Sequence, residues 1–118
     1  MSLDKHLELR KRTKEFALRV IRMSQAMPVT REANVINNQI LRSATSMAAN
    51  YRAVGRARSK AEFIAKLGIV IEESDETVFW LELLSDSGII KPSKLTGLLA
   101  EANQLVSIFS AARRTVRR

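Results

Sequence analysis

"SKAEFIAKLGIVIEESDETVFWLELLSDSG", residues 59–88, carries the signals for both ends of one long helix. Ser59 with Glu62 three positions on forms a capping box. Gly88 stands where a helix closes on a residue with positive φ. Between them, at 100° per residue, Phe63, Leu67, Val70, Ile71, Ser74, Val78 and Leu81 share one side, the side of a core. The other side is not purely polar. Ile69, Trp80 and Leu83 stand there among Glu72, Glu73 and Glu76, and an apolar group rimmed by carboxylates has the composition of a surface that meets a partner.

The same period extends outward in both directions. Upstream, Leu9, Thr13, Phe16, Val20, Met23 and Met27 alternate at spacings of four and three over residues 4–26, and Pro28 ends that helix. A second helix starts at the N-cap Thr30 and runs to Val54 or Arg56 on the stripe Ile36, Ile40, Ala44, Met47, Tyr51 and Val54. About 90° away on that helix lie Gln39, Arg42, Ser46, Asn50 and Ala53. These are mostly small and polar, a composition that lets another helix approach and hydrogen-bond. Downstream, a fourth helix opens with Pro92 in its first turn and carries Leu95, Leu98, Ala102, Leu105, Phe109, Ala112 and Val116. No period-2 run marks a strand. Residues 1–118 are therefore expected to form a single all-α domain, an antiparallel up-down-up-down four-helix bundle.

The net charge of +8 is unevenly placed. Lys60 to Asp86 holds seven acids and two bases, whereas the remainder holds 18 bases and five acids. Three clusters stand out: Arg10, Lys11, Arg12 and Lys14; Arg52, Arg56, Arg58 and Lys60; and Arg113, Arg114, Arg117 and Arg118. Guanidinium groups suit bidentate phosphate contacts. Only Tyr51 among the aromatics lies near a cluster, so the pattern favours backbone contacts over base stacking. The alternative is that these charges serve solubility and self-association alone.

Enzyme chemistry finds little support. There is no cysteine, and the one histidine, His6, lies near a terminus expected to fray. One histidine cannot supply a Glu-x-x-His di-iron site, and Glu72, Glu73 and Glu76 have no companion acids on other helices to hold a hard cation, so no metal centre is expected. No Ser-His-Asp set or Gly-rich phosphate loop is present. The expectation is no catalytic residue, no metal and no cofactor. The longest apolar run, Leu67 to Ile71, is far shorter than the roughly 20 residues of a membrane span. No secretory signal is read in "MSLDKHLELRKR", and a cytoplasmic protein with no membrane partner is expected.

The segments "QILRSATSMAANYRA", "RARSKAEFIAKLGIVIEESDE" and "WLELL" resemble the four-helix-bundle proteins named after the 23S rRNA intervening sequence. Gln39, Arg42, Ser46, Asn50, Arg58, Ser59, Glu62, Phe63 and Leu67 carry the match. Many relatives continue from the Asn as Asn-Ile-Ala-Glu-Gly. Here Asn50 is followed by Tyr51, Arg52, Ala53 and Val54, so roles tied to that Glu and Gly do not transfer. The resemblance implies a homopentameric ring with a central channel. It also implies nucleic-acid contact, and kinship with accessory variability determinant proteins that serve a reverse transcriptase in diversity-generating retroelements.

Together these readings predict a non-enzymatic, ring-forming bundle. Nucleic-acid backbone would be bound by Arg10, Lys11, Arg12, Lys14, Arg52, Arg56, Arg58, Lys60, Arg113 and Arg114. Chains would associate through Gln39, Arg42, Ser46, Asn50, Ile69, Glu72, Glu73, Glu76, Trp80 and Leu83. The alternative is a scaffold that recruits a protein such as a reverse transcriptase, its charge serving assembly.

Overall fold

Three of the four helices begin on a hydroxyl that caps the first turn, with an acid following. Ser2 Oγ accepts from Lys5 N at 3.2 Å, Thr30 Oγ1 from Ala33 N at 3.1 Å and Ser59 Oγ from Glu62 N at 3.0 Å. Each such cap is worth about 1 kcal/mol. Asp4, Glu32 and Glu62 add favourable charge at the same helix ends. The structure, a computed structural model, describes residues 2–118. Its elements are α1 (Leu3–Gln25), α2 (Arg31–Val54), α3 (Lys60–Asp86), a 3₁₀ turn (Pro92–Lys94) and α4 (Thr96–Arg117), with no strand among the described residues.

The helix ends follow local chemistry with one departure. Gly88 has φ 75°, the left-handed conformation that closes α3, and Gly88 N reaches Ser85 O at 3.2 Å. Pro92, by contrast, does not open the fourth helix. It opens the 3₁₀ turn, Leu95 N bonds to Pro92 O at 3.0 Å, and α4 proper starts at Thr96 without a capping side chain.

Each helix packs on the next, and α4 meets α1 in the smallest of the helix–helix contacts. The molecule measures 45 × 21 × 20 Å, so its long axis is about the length of α3, roughly 40 Å at 1.5 Å per residue. The entire predicted α2 stripe is buried, with Ile40, Met47, Tyr51 and Val54 almost fully enclosed. On α3, Leu67, Val70, Ser74, Val78 and Leu81 are buried as expected. Phe63 and Ile71 reach only half-burial, and Thr77 and Leu84 take their place inside. Leu95, Leu98, Ala102, Leu105 and Phe109 are buried from the α4 side, while Ala112 and Val116 stay half-buried near the chain end.

Where α2 meets α3, small residues let the backbones close in. Ser43 and Thr77 are buried there with their hydroxyl oxygens 2.9 Å apart. The backbone carbonyls of Ile40 and Glu73 supply further acceptors, so both hydroxyls are satisfied.

His6 does not fray. Its ring stacks on Tyr51 with centroids 5.1 Å apart, and Nδ1 lies 3.2 Å from the Tyr51 hydroxyl oxygen. Tyr51 in turn stacks on Phe109 at 5.2 Å. Gly55 makes the seat, since a methyl there would collide with the imidazole, 2.8 Å from Cε1. Burial, then the nearby Arg10 charge, lowers the His6 pKa, and burial pushes the Tyr51 phenol up to about 12.

Candidate nucleic-acid interface

Three residues of the α1 cluster and one residue of the second cluster share a groove. Arg10, Lys11 and Lys14 of α1 face Arg52 of α2 across a cavity of about 630 Å³, floored by Ala48 and Ala49. Arg10 and Lys14 are four apart and so share a helix face. The small alanines leave a shallow trough on α2, with the three α1 cations on one side, Arg52 on the other and the half-exposed Leu7 at its edge. No acid lines it, and among the described residues none of the four cations has an ion-pair partner within 4.0 Å. Lys11, Lys14 and Arg52 are exposed and Arg10 is half-buried. Such a surface offers unpaired positive charge to an anionic backbone.

Arg12 is the exception within its cluster. It points to α4, where Nε and Nη2 donate to the two carboxylate oxygens of Glu101 at 2.7 Å each, and Nη2 also reaches Gln104 Oε1. Hydrogen bonding from Arg12 lowers the Glu101 pKa. The Nε–Nη2 edge of the guanidinium is thus committed to a carboxylate within the chain. The sequence places Arg12 on the binding face, and the structure instead turns it toward α4, outside the groove that Arg10, Lys11 and Lys14 line.

The remaining cations gather at the adjoining end of the molecule. The start of α1, the α2–α3 turn and the end of α4 meet there around a cavity of about 410 Å³ that includes His6, Gly55, Lys60 and Val116. Lys60 Nζ lies 3.5 Å from Arg118 O, which ties the tail to the start of α3. Arg56 and Arg114 are exposed and unpaired among the described residues. Arg58 contacts Glu62 at 3.6 Å, a largely solvated pair. Arg113 is half-buried and approaches Gly68 on α3.

The expected association residues divide into two groups. Arg42 bonds within the chain, to Glu73 Oε2 at 3.3 Å and to Glu76 Oε1, so these three side chains bridge α2 and α3 of one molecule. Asn50 Nδ2 donates to Ser46 O at 2.8 Å and contacts Ser46 Oγ at 3.0 Å, while Gln39 is half-buried. Trp80 and Leu83 are not opposite the core. Both are half-buried and pack against it, and Trp80 Nε1 sits 3.3 Å from Glu76 Oε1. Ile69 is 45% exposed and Glu72 is exposed. Sequence reasoning missed Phe79, which is 54% exposed and packs edge-on to Trp80 at 5.0 Å. The signal was present: at 100° per residue Phe79 falls opposite the buried stripe, among Glu72, Asp75, Glu82 and Asp86.

No group of three or more His, Asp and Glu side chains among the described residues is arranged to hold a metal. Among the described residues no helix is long and apolar enough to cross a membrane. Four long helices around one apolar core, with unpaired cations on their outer faces, define a small basic four-helix-bundle protein. The chain belongs to the 23S rRNA-intervening sequence protein family, whose family model matches residues 5–111. Among solved structures it is similar to a Bacteroides thetaiotaomicron protein of unknown function from the S23 ribosomal protein family. That relative is 30% identical with a TM-score of 0.83, over 93% of this chain and 98% of that one. Comparison with curated proteins gives no match.

Proposed function

We propose that this protein is a non-enzymatic, cytoplasmic bundle that binds nucleic-acid backbone through the α1–α2 groove. The observation that carries the reading is the trough of Arg10, Lys11, Lys14 and Arg52, four cations around Leu7, Ala48 and Ala49 with no acid among the lining residues. Arg56, Lys60 and Arg114 at the adjoining end extend the same positive surface. Groove-lining aromatics are absent, so contacts go to phosphates and discriminate little between sequences. In this reading the helices run up-down-up-down, which the short joins and consecutive packing support. Several chains, five in the ring that the resemblance implies, repeat the groove about one axis and multiply a weak contact by avidity. Fluorescence anisotropy at low salt with structured RNA, single strands and duplex DNA tests it. Absence of binding to all three by the folded protein would refute it.

A second reading, a scaffold for a protein partner such as a reverse transcriptase, is favoured by one feature. Ile69 and Phe79 are apolar and exposed on the acidic helix α3, where a lone bundle gains nothing from them. Loss of partner capture or of self-association on replacing Phe79, with nucleic-acid affinity unchanged, would assign that face to protein contact.

A further inference from the structure

A second basic cavity, of about 460 Å³, lies where the end of α1 meets the α3–α4 connection. It differs in kind from the α1–α2 groove. Its rim carries Arg19, Arg22, Lys91 and Lys94, while its floor is aliphatic, built from Met23, Ile90 and Leu98. Leu98 is buried, and Met23 and Ile90 are half-buried against the core, so the floor continues the protein interior.

The rim is a concentration of like charge, with Arg19 also bearing on Glu101 of α4, whose pKa it helps to lower. Among the described residues no ion pair within 4.0 Å engages any of the four cations. Arg19 lies over Gly97, its Nη2 3.0 Å from where a Cβ would stand, and so sits at the positive end of α4. That end has neither a capping side chain nor an acid in its first turn. Like charges held together beside a helix N-terminus are relieved by an anion. An inorganic anion would leave the aliphatic floor wet, and an unstacked base would find no aromatic ring among the lining residues. The volume falls within the range of small-molecule sites.

We propose that this cavity binds a free amphiphilic anion, an aliphatic or small aromatic body carrying a phosphate, sulfonate or carboxylate. The body covers Met23, Ile90 and Leu98, and the anionic group sits among Arg19, Arg22, Lys91 and Lys94.

The test is titration of the full chain with 8-anilinonaphthalene-1-sulfonate, followed by displacement. Saturable binding at one site per chain is expected. Hexyl phosphate should displace the probe, and neither inorganic phosphate nor hexanol should do so at equal concentration. The double substitution Arg22→Gln with Lys94→Gln removes two exposed cations and should weaken the probe about tenfold. Lys11→Gln with Lys14→Gln, in the other groove, should leave it unchanged. Circular dichroism of each variant separates lost binding from lost fold, and Lys91→Gln supplies a milder rim variant. Probe affinity indifferent to the rim charges, or equal displacement by hexanol, would overturn the proposal. Displacement by an oligonucleotide would also overturn it, by making the cavity part of a nucleic-acid path. Probe binding that falls as chains associate would overturn it in favour of an interface. Sedimentation with phosphatidylglycerol vesicles that is lost in the rim variant would overturn it in favour of a membrane surface.

Discussion

Arg12 and Glu101, 89 residues apart in sequence, form a two-pronged ion pair that fastens α1 to α4 with both N–O distances at 2.7 Å. It spans the smallest helix–helix contact of the bundle. Glu101→Gln is expected to destabilise the fold by about 1 kcal/mol at neutral pH, since the pair is partly solvated. The folded carboxyl pKa is lowered, so this stabilisation is complete above the ordinary glutamate range. It is lost as pH falls through the folded-state value. Urea unfolding of both proteins should therefore differ at pH 7 and converge in acid.

The buried Ser43–Thr77 pair gives a second expectation. Thr77→Val and Ser43→Ala each strand part of a hydroxyl pair and should each cost about 1 kcal/mol. The double variant should cost less than the sum, because the remaining groups no longer need each other. A double-mutant cycle by chemical denaturation measures the difference.

Gly55→Ala should act through space rather than through the backbone. Gly55 has φ −65°, which alanine adopts freely, but the methyl collides with the His6 ring. The displaced imidazole should titrate nearer its ordinary value. In the wild type the lowered His6 pKa means that its packing stabilises the fold above about pH 6.5 and is lost as pH falls through the folded value. NMR titration of this single histidine should show an upward shift in the variant. An unchanged titration would contradict the stacked arrangement.

Phe79 separates association from folding. Phe79→Ser removes a half-exposed ring and should leave thermal stability nearly unchanged while weakening any self-association about tenfold, as native mass spectrometry would show. Trp80→Glu, by contrast, places a charge against the core and should unfold the protein more readily.

Features written in local chemistry were legible in the sequence. Thr30 and Ser59 cap helices because a hydroxyl needs only the amide three residues on, and Gly88 closes α3 because only glycine adopts φ 75° at little cost. The α2 stripe was legible because its apolar residues keep one period throughout. Features set by distant residues were not. Arg12 shares a charge cluster with Lys11 and Lys14, and only the position of Glu101 on α4 turns it away from them. Arg42, Glu73 and Glu76 read as a surface for a neighbour, yet the close approach of α2 and α3 satisfies them within one chain. The groove itself follows from Ala48 and Ala49, whose small size has meaning only once α1 lies beside them.

The central claim is that Arg10, Lys14 and Arg52 contact phosphates in the α1–α2 groove. The most direct measurement is the salt dependence of binding to a labelled RNA, for the wild type and for Arg10→Gln with Lys14→Gln and Arg52→Gln. Each lost phosphate contact should reduce the slope of log affinity against log salt by about 0.7 to 0.9, so the variant's slope should be shallower by about two or more. An unchanged slope and affinity in the folded variant would contradict the account.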